Sequence, residues 1–141
     1  MTRKVGGALL ADVVLVLVFV AIGRHNHEES SALVGIATTA WPFLAGLALG
    51  WIGARAWRRP LSLWPTGALL WVVTVGVGMV ARVISGAGTA FSFIVVATVV
   101  LGVFLLGWRA VVAFGPVREK GRPVNTIHAQ GRRPYRPRSS R

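Results

Sequence analysis

Asp12 is the residue of this 141-residue chain with the clearest potential for chemistry. It is the single acid within four long apolar runs, at about 5–23, 32–54, 64–84 and 89–108. A carboxylate among apolar residues is costly unless it faces protein or water, and such residues in membrane segments often bind protons or ions. Asp12 is therefore the candidate proton or ion site. The alternative is a neutral or paired aspartate that locks the first helix to a neighbour.

Three further polar residues are candidates to support Asp12, namely Arg55, Thr74 and Arg82. At 1.5 Å per residue, Asp12 lies about 10 Å into its helix and Arg82 about 27 Å into its own, measured from the same side. This difference in depth, about 16 Å, argues against an Asp12–Arg82 ion pair. Arg55, at the inner end of the second run, is nearer in depth and is the predicted partner of Asp12. Thr74 and Arg82 share a helical face, which predicts either a small polar cavity or ordinary helix packing.

Catalytic and cofactor chemistry find little support in the sequence. The chain has no cysteine, which excludes thiolate catalysis and Cys-ligated metals. The residues His25, His27, Glu28 and Glu29 are compatible metal ligands, but a short connection without a second ligand motif favours a solvated loop. With one buried acid and no buried histidine, general acid–base catalysis is hard to assemble. We predict no enzyme activity, no metal site and no cofactor.

The apolar runs predict an all-α polytopic membrane protein. Each run has roughly the 20 residues that a helix needs to cross a hydrocarbon core of about 30 Å, and continuously apolar stretches exclude the alternating pattern of a membrane barrel. We predict a four-transmembrane-helix bundle over residues 1–114 and a disordered basic cytoplasmic tail over 115–141. Such a tail can associate with anionic membrane lipid. It has one aromatic residue and no stacking pattern, so no nucleic acid is expected as a partner.

The placement of basic residues predicts the orientation. Of the 16 Lys and Arg residues, all but Arg24 and Arg82 lie near the N-terminus, between the second and third runs, or from Arg109 onward. Basic residues accumulate on the cytoplasmic side of membrane proteins, and the Arg-, Ala-, Gly- and Val-rich composition is typical of a GC-rich bacterial genome. We therefore predict a multi-pass protein of the bacterial cytoplasmic membrane with both termini in the cytoplasm. A cleaved signal peptide is the alternative for the first run, which is long for one and contains Asp12.

Small residues predict where helices approach one another closely. Gly46, Gly50 and Gly53 recur every three to four residues on the second run, and Gly78 lies on a similarly spaced face of the third. Gly46 and Gly50 form a GxxxG motif, which lets helix backbones come together. The pattern predicts helix packing within the chain, with a second copy or with a larger membrane complex.

Six segments of the chain can be compared with known families. They are Asp12, Gly23–His27, Thr39–Gly46, Leu63–Gly67, Gly78–Arg82 and Leu106–Arg109. Together they resemble an uncharacterised domain-of-unknown-function family of small four-helix integral membrane proteins from bacteria and archaea. The resemblance covers about Ala8 to Arg109 and implies a topology but no established activity, so it assigns no functional residue.

A second likeness concerns architecture alone. Small multidrug-resistance antiporters are similar in length and helix number, and a glutamate in their first helix exchanges protons for cationic substrate in a homodimer. Two functions therefore stay open. The first is an accessory or structural membrane protein that packs with itself or with a larger complex. The second is a small, homodimeric proton- or ion-coupled transporter that uses Asp12.

Overall fold

Each predicted run forms a helix in the computed structural model, which describes residues 2–24 and 32–115. The helices are α1 (Thr2–Arg24), α2 (Ala32–Gly53), α3 (Ala68–Ile84) and α4 (Phe91–Phe114). All are long and apolar enough to cross a membrane once the turn before α3 is counted with it, and no strand occurs in the described parts of the chain. The predicted all-α fold with four membrane-length helices is confirmed. The predicted disordered tail lies, beyond Gly115, outside the described residues.

Helix α4 differs most from its predicted run, which ended at Trp108. It continues to Phe114 because residues 110–114 are again apolar, and the chain leaves helical geometry only at Gly115 (φ −60°, ψ 150°). Arg109 therefore lies inside α4 rather than just beyond its end. The extension of α4 beyond Trp108 places the Arg109 side chain within the helical bundle.

The connection between α2 and α3 is short and tightly turned. Arg55 adopts left-handed backbone angles (φ 47°, ψ 48°), which end α2, and Ala56–Arg58 then forms one 3-10 turn. A wider helical turn at Leu63–Gly67, entered through the extended Trp64, leads directly into α3. The connection thus stays close to the ends of the helices that it joins, and its backbone carbonyls are available to neighbouring side chains.

Each helix packs on the next one along the chain, and α4 closes the bundle against α1. The closest approach is between α2 and α3, where a Cβ on Gly46 would lie only 2.8 Å from the carbonyl oxygen of Thr74. One turn further on, Gly50 faces Leu70, and in the other direction the ring of Phe43 fills the space beside Gly78. The GxxxG motif of α2 is therefore used inside the chain, against α3.

Three phenylalanines from different helices form an aromatic cluster in the core. The rings of Phe19 (α1) and Phe43 (α2) meet edge to face at 5.4 Å, and Phe93 (α4) lies 6.4 and 6.2 Å from them. Ring centroids at these separations are in favourable contact. This Phe19–Phe43–Phe93 cluster lies between the levels of Asp12 and Arg24 on α1.

Candidate functional site

The polar centre of the bundle is a buried ion pair between α1 and α4. The guanidinium of Arg109 donates from Nη1 to Oδ1 of Asp12 and from Nη2 to Oδ2, both at 2.7 Å. Both side chains are 0% exposed. The planar guanidinium matches a carboxylate in this bidentate geometry, which gives the strongest hydrogen bonds between protein side chains. The pair is thus neutral overall and well matched in shape.

Two tryptophans complete the coordination of the Asp12 carboxylate. Trp51 of α2 donates from its indole N–H to Oδ2 at 3.0 Å, and Trp108 of α4 donates to Oδ1 at 2.9 Å. An ionised carboxylate has about four lone-pair positions. With two donors from Arg109 and one from each indole, all four positions are filled.

The remaining donors of Arg109 hold it to the backbone. Its Nε donates to the carbonyl of Pro60 at 3.1 Å, and Nη1 also donates to the carbonyl of Leu105 one turn earlier in α4. Gly67 makes room for the side chain, because a Cβ there would lie 3.1 Å from Cδ of Arg109. The arginine therefore ties α1 and α4 to the connection between α2 and α3.

The predicted Asp12–Arg55 pairing is wrong. Arg55 is exposed, in the left-handed turn that ends α2, whereas Asp12 pairs with Arg109. The prediction fails because the predicted fourth run ends at Trp108 and leaves Arg109 outside the membrane helix, whereas α4 continues to Phe114. The spacing of buried residues in α4 carries the missing signal, since Ala97, Leu101, Leu105 and Arg109 recur every four residues on one buried face. The rejected Asp12–Arg82 pair is indeed not formed.

This arrangement acts as a clamp, which we call the Asp12 clamp (Asp12, Trp51, Trp108 and Arg109). It joins three helices through four hydrogen bonds, three of which are buried and one, from Trp108, part-buried. A buried pair of this kind contributes little relative to a well-packed apolar replacement, but removing one partner leaves an uncompensated buried charge and costs about 3–5 kcal/mol. The four hydrogen bonds thus connect α1, α2 and α4 at one level of the bundle.

The candidate supporting residues lie elsewhere. Thr74 is fully buried at the contact between α2 and α3, and its hydroxyl has no hydrogen-bond partner among the described residues. Arg82 lies in the last turn of α3, at the far side of the phenylalanine cluster from Asp12, where its guanidinium stacks 4.4 Å from the ring centre of Phe93. Neither residue forms a hydrogen bond or an ion pair with Asp12.

The predicted packing glycines divide into two groups. Gly46, Gly50 and Gly78 all lie at the contact between α2 and α3, whereas Gly53 is exposed and a Cβ there would meet nothing within 4 Å. The His25–Glu29 cluster falls outside the described residues. Within residues 2–24 and 32–115, no group of three His, Asp or Glu side chains could hold a metal ion.

Comparison with models of protein families gives a match. A family model described as "Protein of unknown function (DUF3054)" matches residues 9–112, which include all four helices nearly to their ends. No curated protein and no solved structure matches the chain.

Proposed function

Because this chain belongs to the DUF3054 family of proteins of unknown function, we propose its role from its own residues: an accessory or structural membrane protein that acts by packing with itself or with a larger membrane complex. The observation that supports this best is the Asp12 clamp. The most polar group within the predicted membrane region is committed to holding helices together.

The clamp leaves Asp12 poorly suited to proton or ion coupling. A carboxylate that couples transport must release its partner, exchange a proton or cation and reach water from each side in turn. Here both oxygens accept two hydrogen bonds each, and the side chain is 0% exposed. Exchange would need Arg109 to move away, which leaves two buried charges unpaired at a cost of several kcal/mol.

The apolar core supports the same conclusion. Arg24 follows Asp12 by twelve residues on α1, so about 18 Å separates these two polar residues along the helix. The Phe19–Phe43–Phe93 cluster lies between them. A transported ion would have to pass these rings, because the described side chains offer it no continuous polar path at this level.

Contact with a partner has to use the outward sides of the helices. Gly46, Gly50 and Gly78 are already covered within the chain, so a second copy or a larger complex cannot dock on them. The outward sides carry apolar residues such as Leu10, Ile22 and Val80, each more than half exposed. These positions face lipid or a partner helix. We infer no catalytic role from any of them.

The distribution of charge supports the proposed placement in the bacterial cytoplasmic membrane. Lys4 of α1 and Arg58 and Arg59 of the connection between α2 and α3 line one cavity, so they lie at the same end of the bundle. The connection between α3 and α4, residues 85–90, lies at the other end and carries no charge. This asymmetry favours a cytoplasmic location for both termini.

Native mass spectrometry tests the proposal. Tagged protein, extracted gently from its own membranes, should be detected as a homo-oligomer or in a stoichiometric complex with other membrane proteins. Asp12→Asn should reduce the assembled fraction in proportion to the loss of folded protein. The proposal fails if the protein is a lone monomer, or if folded Asp12→Asn protein assembles normally but loses an ion flux that the wild type supports in vesicles.

A further inference from the structure

A second polar region lies at the end of the bundle where α1 and α3 finish. It is a cavity of about 260 Å³, to which all four helices contribute. Its polar lining comes from Arg24 of α1, Thr39 of α2 and Arg82 of α3, and Phe93 of α4 forms part of its wall. Arg24 lies about 18 Å from Asp12 along α1, and no residue of the Asp12 clamp lines the cavity.

Among the described residues, the two arginines of this cavity make few hydrogen bonds. Arg24 donates to the Thr39 hydroxyl at 3.3 Å, and Arg82 donates to the carbonyl of Ala87 at 3.4 Å, both long for such bonds. The Nε of Arg82 is buried and has no partner among the described residues. A guanidinium carries five N–H donors. In contrast, Arg109 makes four bonds of 2.7 to 3.1 Å.

Charge also favours a negative ligand. Each arginine lies in the last turn of its helix, where the helix dipole favours a cation. The dipole does not explain why both arginines line one small cavity, because two positive charges repel each other. The described residues of the lining include no carboxylate. An anion between the two guanidinium groups would offset the repulsion and accept hydrogen bonds from donors that have no partner among the described residues.

The cavity wall holds Arg82 in place for such a ligand. Its guanidinium stacks on Phe93 at 4.4 Å, an interaction typical of arginine. Phe93 in turn packs against Phe19 and Phe43 in the aromatic cluster. This stacking occupies one face of the guanidinium, whereas its N–H groups donate in the plane, away from the ring.

We propose that this cavity binds an oxyanion of the phosphate class, with Arg24 and Arg82 on either side of it and the Thr39 hydroxyl as a third donor. Guanidinium groups match phosphate oxygens in shape and charge. The small volume suits the anion itself or a single headgroup. The phosphate can come from solution or from a membrane lipid, and the site does not depend on the proposed assembly function.

Binding of inorganic phosphate tests the first source. Protein in nanodiscs of phosphatidylcholine is titrated with phosphate by isothermal calorimetry. Arg24→Gln and Arg82→Gln should each weaken phosphate binding about tenfold or more, because each removes a guanidinium that donates charge-assisted hydrogen bonds to the anion. Thr39→Val, which keeps the shape of the side chain, should weaken it less. Arg55→Gln, at an exposed arginine outside the cavity, is the matched control and should leave the affinity unchanged.

Lipid retention tests the second source. Wild-type protein released from nanodiscs that mix phosphatidylglycerol and phosphatidylcholine should retain phosphatidylglycerol in native mass spectra, and Arg24→Gln should lose it while Arg55→Gln does not. Either source supports the proposal. The proposal is overturned if the cavity variants bind both phosphate and phosphatidylglycerol as tightly as the Arg55→Gln control does. If an arginine variant does not fold, the same comparison is made with Thr39→Val.

A further variant tests whether the chain supplies its own anion. Glu28 and Glu29 follow Arg24 in the sequence. The Glu28→Gln, Glu29→Gln double variant should bind phosphate with the wild-type affinity or somewhat more tightly. If phosphate binds only to this variant and not to the wild type, the cavity is an internal ion-pair site and the proposal is wrong.

Discussion

Arg109 donates two hydrogen bonds of 2.7 Å to the carboxylate of Asp12 across 97 positions of sequence. The contact brings the first helix and the last into register and closes the bundle. Because Trp51 and Trp108 fill the other acceptor positions, the aspartate is a fully bonded structural group. This explains how an apolar four-helix protein tolerates an ionisable residue in its first helix.

The contribution of the indole bonds can be measured separately from the ion pair. Trp51→Phe keeps an aromatic ring but removes one donor to Asp12. A hydrogen bond to a charged group contributes about 1.5–3 kcal/mol, so we expect a loss of that size in the free energy of unfolding, measured by steric trapping in bicelles. Trp41→Phe, at a tryptophan 48% exposed, is the control and should change stability by no more than about 0.5 kcal/mol. Equal effects would mean that the Trp51 bond does not form.

The glycine contact between α2 and α3 makes a second prediction. Gly46→Ala puts a methyl group 2.8 Å from the Thr74 carbonyl oxygen, and this overpacking should destabilise the bundle by about 1–3 kcal/mol. Gly53→Ala meets open space and should be neutral or gain about 0.5–1 kcal/mol from its better helix propensity. Thermal unfolding in detergent compares the two. The observed packing would be contradicted if Gly46→Ala were as stable as wild type and Gly53→Ala were less stable.

The proposed orientation can be tested in a chain that has no native cysteine. Single cysteines replace Arg58, in the connection between α2 and α3, and Ala87, in the connection between α3 and α4. With both termini cytoplasmic, an impermeant maleimide should label Ala87→Cys in intact spheroplasts and Arg58→Cys only after permeabilisation. The reverse pattern would place both termini outside.

The sequence was sufficient to predict the helices but not the clamp. Continuous apolar runs specify membrane-length helices because a helix satisfies its own backbone hydrogen bonds, and the GxxxG motif of Gly46 and Gly50 identified a close helix contact. The partner of Asp12 was missed because a basic residue after an apolar run is normally read as cytoplasmic. Arg109 departs from that rule, since it continues the buried face of Leu101 and Leu105 and is followed by more apolar residues.

The cavity between Arg24 and Arg82 could not be predicted for a different reason. Sequence spacing places Thr74 and Arg82 on one face of α3, which is compatible with a polar cavity lined by both residues. In the structure Thr74 is covered by Gly46 of α2, and Arg82 instead shares its cavity with Arg24 and Thr39. Which residues of different helices meet at one level depends on the antiparallel register of α1 with α2, which a single sequence does not specify.

A double-mutant cycle on Asp12 and Arg109 tests the central claim, that the carboxylate is a structural group held by the arginine. The free energy of unfolding in bicelles is measured for wild type, Asp12→Asn, Arg109→Gln and the double variant. Each single change should cost about 3–5 kcal/mol because it strands a buried charge, and the double variant should cost less than the sum by about 2–3 kcal/mol. Additive effects would contradict the account, as would an Asp12→Asn protein as stable as wild type.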